Sequence, residues 1–293
     1  MCKRILCLIK IYLICSLLII NFGCARTEEN NQVQKHVPNI TYSNFNYSKQ
    51  DLEEIYIGSE IHREITAQFS TYKNEEIEKY VNEIGNNLIS YANRKVLPYR
   101  FTILYDERMY ATAAPGGFIY ITTGLINFLD NEAELAGVLA HEIGSIQYSD
   151  PRISNKKKVL ENITQTGTAV APMFGSYGTM AAIGLQMLNA YMFNERSPED
   201  RVFDADKLTL EYLLNASYDP QGFIDFLYKI IYTDSDERKL LFHYLVSHPI
   251  SMDRMNAINE NFKNLDLEGK NFDVGRDRFL QITKPIRNIY LEH

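Results

Sequence analysis

The residue pair best suited to chemistry is His141-Glu142, which lies in a stretch of small and apolar residues. A His followed directly by Glu is the first half of the pattern HExxH. In that pattern two His side chains one helical turn apart bind zinc, and the Glu acts as general base. On its own the pair is a weak signal, because partly buried helices carry such polar pairs without a metal. The surrounding elements must therefore show what His141-Glu142 means.

Hydrophobic spacing predicts that this pair lies on a buried helix. Asn131 is suited to cap the start of that helix, with Glu134 three residues later as in a capping box. Two strands rich in β-formers are predicted to pair as neighbours, and further helices follow from three- and four-residue spacing. The predicted strands are 99–105 and 118–123, with a turn at 115–117, and the predicted helices are 52–69, 77–89, 201–214, 223–231 and 251–262. The predicted fold class is therefore α+β, mostly helical with one small β-sheet.

The first 24 residues are typical of an export signal. A short positive segment precedes an apolar run at 5–22, which ends at Gly23-Cys24. A small residue followed by Cys resembles a bacterial lipobox, so Cys24 is the expected lipidation site. An uncleaved anchor is the alternative, since about 18 apolar residues are just long enough to span a bilayer. The predicted organisation is a signal peptide at 1–23, a polar tether at 24–50 and one domain at 51–293.

Charge and cysteine usage exclude several kinds of function. The chain of 293 residues has a net charge of -7, which argues against a nucleic-acid partner, because such proteins need a basic surface. The four cysteines all lie in the first 24 residues, so none can form a disulfide framework or a cysteine zinc site in the rest of the chain.

Motifs along the chain resemble those of one family. The segments 113–125, 131–136 and 141–144 are very similar to peptidase family M48, the zinc metallopeptidases of the HtpX and CAAX prenyl protease type. Further pieces follow in the family's order: Tyr80-Val81-Asn82, Leu97-Pro98-Tyr99, Ala205-Asp206, and Ser247-His248-Pro249 with Arg254. The resemblance covers residues 50–262 and implies a zincin-like metallopeptidase fold.

The zinc site implied by this resemblance is incomplete. It would use His141, a second His at position 145 and a Glu at position 202, with Glu142 as general base. Ser145 and Val202 occupy the last two positions. Zinc sites of this kind use three protein ligands and a water, so His141 alone is expected to bind zinc only weakly. The expectation is that no cofactor binds tightly and that Glu142 is idle.

Other residues could take part in a rebuilt site. The resemblance implies that His248 and Arg254 lie near the active centre and that Asp206 orients the groups around the metal position. A rebuilt metal site from His141, His248 and a nearby acid remains an alternative, and His243 is another possible ligand. The acids in question are Glu199, Asp200 and Asp204, whereas His36, His62 and His293 lie in other segments.

In the resembled family, an edge strand after the Gly-Gly turn can bind an extended peptide by main-chain pairing. This implies a binding role for Gly116, Gly117, Phe118 and Ile119 that does not need a metal. Composition alone suggests that 166–190 covers the cleft as a lid. The first hypothesis is a non-catalytic, lipid-anchored protein of the bacterial envelope that binds protein or unfolded polypeptide. The alternatives are an active zinc endopeptidase with an unusual site and a purely structural envelope lipoprotein.

Overall fold

The computed structural model describes residues 47–147 and 198–291, except for the side chains at 198–201 and 243. The predicted signal peptide with Cys24, nearly all of the tether and the 166–190 segment lie outside these ranges. So do His36 and His293, and the side chains of Glu199, Asp200 and His243. Within the described ranges, no helix is long and apolar enough to cross a membrane.

The described chain forms ten α-helices and three strands, which confirms the α+β prediction. In chain order they are α1 Lys49–Gln68, α2 Glu75–Ile89, β1 Arg100–Leu104, β2 Ala111–Ala114, β3 Phe118–Thr122, α3 Thr123–Phe128, α4 Glu132–Gln147, α5 Pro198–Asn215, α6 Gln221–Tyr232, α7 Ser235–Leu240, α8 Phe242–Ser247, α9 Met252–Lys263 and α10 Arg276–Leu291.

The three strands form one sheet in the order β1-β3-β2. The two strands predicted from sequence do pair: Arg100 lies opposite Phe118, and β1 runs parallel to β3. The third strand, β2, pairs antiparallel with β3, so that Ala114 lies opposite Phe118. It has no counterpart in the sequence prediction, because Ala111-Thr112-Ala113-Ala114 has mostly small residues and little of the β-branched or aromatic content that marks a strand.

The expectation that the strand after Gly116-Gly117 lies at a sheet edge is wrong. β3 is the middle strand, so its backbone groups bond to β1 on one side and β2 on the other. Phe118 and Ile119 are both buried. Because pairing with a peptide needs unpaired N–H and C=O groups, these residues cannot bind one through their main chain. The edges of the sheet belong to β1 and β2.

Helix α4 forms the centre of the fold. All its residues except Ser145 and Gln147 are buried. Small residues allow neighbouring helices to come close: a Cβ on Gly137 would lie 2.7 Å from Cβ of Phe223 in α6, and one on Gly144 would lie 3.1 Å from the carbonyl oxygen of Ala205 in α5. The helix starts as predicted, because Asn131 Oδ1 accepts a 2.9 Å hydrogen bond from the N–H of Glu134.

Helix α1 is fixed to the turn that precedes β3. Glu54 in α1 is fully buried. Its carboxylate accepts a 3.0 Å hydrogen bond from the N–H of Gly116 and a 2.6 Å hydrogen bond from Nη2 of Arg94. Gly116 adopts a φ of 74°, a left-handed conformation that favours glycine. A Cβ on Gly58 would lie 1.8 Å from the carbonyl oxygen of Pro115. The helix and the turn therefore touch with no space for a side chain between them.

Helix α10 is the last element of the described domain. Its Phe279, Thr283 and Ile286 are buried, although Pro285 lies inside the helix. Arg278 lies 3.3 Å from the carboxylate of Glu132 at the start of α4. Arg287 donates to the carbonyl oxygens of Asn127 and Leu129. These bonds connect α10 to the loop that leads into α4, so the last described helix supports the start of the central helix.

Candidate functional site

His141 lies near the middle of α4, with its side chain fully buried. Its Nδ1 atom lies 3.0 Å from Oδ1 of Asp206 in α5, an ion-pair distance, although the ring is turned too far for a well-aligned hydrogen bond. Its ring stacks on Phe223 at a centroid distance of 5.3 Å. Burial lowers the pKa of His141, and the Asp206 carboxylate only partly opposes this effect. The side chain is thus held as a neutral imidazole.

Asp206 joins His141 to a buried arginine. Its two carboxylate oxygens accept hydrogen bonds from Nε and Nη2 of Arg254, at 2.8 and 2.9 Å, so the two side chains form a bidentate pair. Arg254 is fully buried and also donates from Nη1 to the carbonyl oxygen of Pro249 at 3.0 Å. Burial alone would raise the pKa of Asp206, but Arg254 and then His141 bring it below its ordinary value. Asp206 therefore carries a negative charge that Arg254 neutralises.

Glu142 faces His248. The carboxylate oxygen Oε1 of Glu142 lies 3.2 Å from Nε2 of His248, and both side chains are nearly inaccessible. The other ring nitrogen of His248, Nδ1, lies 2.9 Å from the hydroxyl of Ser247. Tyr244, one turn earlier in α8, stacks on the His248 ring at 4.5 Å. The His141 and His248 rings meet edge to face at 5.0 Å.

The structure brings together five of the residues singled out from the sequence: His141, Glu142, Asp206, His248 and Arg254. Tyr244 and Phe223 were not singled out from the sequence, although their rings form the apolar walls around the two histidines. Tyr244 had a signal that could have been used, because it precedes His248 by four residues and so shares its face of the short helix. Phe223 had none, since its neighbour His141 lies in a different helix.

Ser145 and Val202 stand at the two other positions where the family resemblance implies metal ligands. The Ser145 hydroxyl donates a 2.9 Å hydrogen bond to the carbonyl oxygen of His141, one turn back in the same helix. Val202 is buried, with 4% of its surface exposed, and carries no atom that could bind a metal. Among the described residues, no three His, Cys, Asp or Glu side chains are grouped so that they could hold a metal ion. The donors within 47–147 and 202–291, apart from the undescribed side chain at 243, do not fit a catalytic zinc.

The described part of the rebuilt metal site does not assemble. His248 is directed to Glu142, and Asp204 is not grouped with His141 and a third donor. His62 lies on α1, where its Nδ1 is 3.0 Å from the hydroxyl of Tyr120. The side chains of Glu199, Asp200 and His243 lie outside the described residues, so their part of this prediction stays open.

Comparison with known families explains the arrangement. A sequence model of peptidase family M48 matches residues 75–261. The chain belongs to peptidase family M48. This confirms the family resemblance drawn from the sequence motifs. The match starts at the first residue of α2 and ends within α9, so α1 and α10 lie on either side of it. His141, Glu142, Asp206, His248 and Arg254 all fall inside the matched residues.

Relatives in the M48 family are similar along most of this chain. A beta-barrel assembly-enhancing protease of Yersinia pestis is 28% identical over 223 residues, which is 71% of this chain and 44% of that protein. The protein of the same name from Escherichia coli K12 is 24% identical over 251 residues, 80% of this chain and 50% of that protein. A putative one from Vibrio cholerae is 24% identical over 195 residues. The chain thus spans about half the length of these relatives or less.

Proposed function

We propose that this chain is a non-catalytic member of the M48 family that binds protein or unfolded polypeptide segments in the bacterial envelope. One observation carries the proposal: the hydroxyl of Ser145 is bonded to its own helix backbone, and Val202 has no donor atom. Two of the three ligands that a catalytic zinc needs are therefore missing. Without the metal, Glu142 has no acidified water to deprotonate.

The retained polar residues fit a structural role. Asp206 and Arg254 form a buried bidentate pair, and losing one partner would leave an uncompensated charge in the core. Glu142 and His248 likewise face each other. A structural role is therefore enough to account for these residues, so their presence does not require an active enzyme.

Among the described strands, the outer edge of β2 is the one proposed for a polypeptide, although all four of its residues are buried, so the groups that cover it must move aside first. Ala111–Ala114 pairs with β3 on one side, and no backbone bond joins its other side to the residues described. An extended segment could add there as a further strand through main-chain hydrogen bonds, which need neither a metal nor a particular sequence. This replaces Gly116, Gly117, Phe118 and Ile119 as the proposed binding residues.

The envelope setting rests on two supports. The relatives are named for enhancing β-barrel assembly, and the first 24 residues are typical of an exported lipoprotein. We therefore propose that Cys24 carries a lipid, that the protein acts at a periplasmic or outer membrane surface and that its partners are envelope proteins in assembly or quality control. Globomycin sensitivity and mass spectrometry of the N-terminal peptide test the lipid, and Cys24→Ala is the control.

Metal content tests the absence of catalysis. The protein is purified without chelator, dialysed and analysed for zinc, and then assayed for casein cleavage. The proposal predicts neither stoichiometric zinc nor cleavage. Stoichiometric zinc, together with cleavage that Glu142→Gln abolishes, would show the proposal to be wrong.

Restoring the two positions is the sharper experiment. Ser145→His with Val202→Glu should recover zinc binding, because it returns to both positions the ligands that the family resemblance implies. Ser145→Asn with Val202→Gln is the matched control, since it adds polar side chains of similar size without the zinc ligands. If the control bound as much zinc as the restored variant, the assignment of the ligand positions would be incorrect.

An active zinc endopeptidase remains the second candidate, and one observation favours it. Nε2 of His141 is buried and has no hydrogen-bond partner among the described residues, as expected of an atom that binds something the protein itself does not supply. The metal analysis above separates the two candidates. A photo-crosslinker at exposed Phe242, near the start of β2, tests binding in cells, with exposed Tyr91 as control position. Capture of no envelope protein from position 242 would favour a purely structural role.

A further inference from the structure

The described chain covers only half of the outer edge of β1. The segment that follows α1 pairs with the end of this strand, where the N–H of Tyr72 donates to the carbonyl oxygen of Ile103 at 2.8 Å. The N–H of Tyr105 donates in return to the carbonyl oxygen of Ser70, also at 2.8 Å. The chain then turns away from the strand, because Asn74 caps the start of α2. The first half of β1 therefore receives no cover from this segment.

The alternation of a strand identifies the backbone groups that remain. Successive residues direct their N–H and C=O groups to opposite sides, so Phe101 points outward as Ile103 and Tyr105 do. No backbone bond joins the N–H or C=O of Phe101, or the N–H of Ile103, to a described residue. Arg100, Phe101 and Thr102 are partly exposed, whereas every residue of β2 is buried. These groups can therefore pair with a further strand without any movement of the described chain.

Arg100 gives this edge a positive charge that no described acid neutralises. Its guanidinium lies 5.9 Å from the centroid of the Phe118 ring, and no hydrogen bond or ion pair joins it to a described residue. Burial, and then Arg100, lower the pKa of His62, so the guanidinium acts on the side of the sheet that faces α1. Glu60 of α1 pairs with Arg63 instead. Arg100 thus has donors for a carboxylate that the described chain does not supply.

The charge of Arg100 selects among the chains that could add to this edge. A second copy, paired antiparallel through Phe101, would bring two Arg100 side chains to one face, where like charges repel. A segment with an acidic side chain opposite Arg100 gains a charge-assisted hydrogen bond instead. We infer that the outer edge of β1 binds an extended acidic segment of another polypeptide, which adds antiparallel to residues 100–102 and places a carboxylate on Arg100. This second polypeptide site is separated from β2 by β3 and does not depend on the loss of catalysis.

Fluorescence anisotropy with short labelled peptides tests the charge recognition on the full chain. A peptide of alternating valine and glutamate should bind about fivefold more tightly than one of alternating valine and glutamine. Arg100→Gln should remove this preference, whereas Arg63→Gln, at an exposed arginine of α1, should keep it. Equal binding of the two peptides to the wild type, or a preference that Arg100→Gln leaves intact, would overturn this site. Either result would leave the proposed site at β2 standing.

Methylated peptides test the strand pairing itself. In an antiparallel pair centred on Phe101, the valine N–H groups bond to β1, and the glutamate N–H groups point away from it. N-methylation of the valines should weaken binding by about tenfold, because it removes those donors, and N-methylation of the glutamates should weaken it far less. An equal loss from the two methylated peptides, or a larger loss from the glutamate methylation, would overturn the pairing. This comparison uses the wild type alone, so it does not depend on the folding of Arg100→Gln.

Discussion

The hydroxyl of Ser145 donates to the carbonyl oxygen of His141 across one turn of α4, at 2.9 Å. The hydroxyl is thereby held by the backbone of its own helix. At a position where the family resemblance implies a metal ligand, this side chain bonds to its own helix. The change costs the fold little, because a half-buried serine with a backbone partner leaves no group unsatisfied.

Ser145→Ala is therefore expected to have little effect on stability. The variant loses one local hydrogen bond and gains the better helix propensity of alanine, so the free energy of unfolding should change by less than about 0.5 kcal/mol. Urea unfolding followed by circular dichroism measures it. A loss above about 1.5 kcal/mol would show that Ser145 has a larger role than its own helix turn explains.

Asp206→Asn should be strongly destabilising. It leaves the Arg254 charge buried without its carboxylate, which costs about 3–5 kcal/mol in buried pairs. Asp236→Asn is the control, because Asp236 and Lys239 form an exposed pair worth less than about 1 kcal/mol. The double change Asp206→Leu with Arg254→Met should recover most of the loss. Failure to recover would mean that the pair has a role beyond charge neutralisation.

Glu54→Gln should release α1 from the domain. The substitution removes the charge of one of the two carboxylates that pair with Arg94, the other being Asp51. About 2–3 kcal/mol should be lost, below the value for fully buried pairs because Asp51 remains and Arg94 keeps 21% of its side chain exposed. Hydrogen exchange should rise at the N–H of Gly116, which loses its carboxylate acceptor. Glu60→Gln is the control, since its partner Arg63 is 65% exposed. Equal effects in both variants would contradict this account.

Gly58→Ala should also separate α1 from the turn before β3. The added methyl group would lie 1.8 Å from the carbonyl oxygen of Pro115, so the helix must move. Overpacking of this kind costs about 1–3 kcal/mol. Thermal unfolding measures the loss, and Ser59→Ala in the next position is the control because it adds no atoms. A Gly58→Ala variant with wild-type stability would show that the contact is looser than described.

His62 should make stability depend on pH. Burial, and then the nearby Arg100, lower the pKa of His62 below its ordinary value of about 6.5. Below that pH the unfolded chain binds a proton more readily than the folded chain, so stability falls as the pH drops from about 6.5 through the folded pKa. His62→Gln removes this contribution. The stability difference between wild type and variant should therefore change between pH 7 and pH 5, and a constant difference would contradict the prediction.

The sequence was informative where a pattern is local. The cap at Asn131, the pairing of the two predicted strands and the central helix all follow from patterns along the chain, and the structure confirms them. The family motifs also brought together His141, Asp206 and Arg254 from three helices. What could not be predicted depends on pairing between distant positions. Glu54 and Arg94 lie 40 residues apart, and nothing in either segment indicates its partner.

The sheet illustrates a second limit. β2 consists of three alanines and a threonine, so it is a strand only because β3 beside it offers backbone groups to bond. Without this strand the sheet appears to have two members, and β3 is mistaken for an edge. The mistake moved the proposed peptide-binding residues to a buried strand, which shows how one short element changes a functional conclusion.

The contact between Glu54 and Arg94 has a consequence for defining the domain. The M48 match begins at Glu75, but Glu54 lies before it and Arg94 lies inside it. A fragment that started where the family match starts would leave the Arg94 guanidinium and the Gly116 N–H without their acceptor. The smallest part of the chain that folds well is thus expected to include α1, and its boundary is set by a buried carboxylate rather than by sequence similarity.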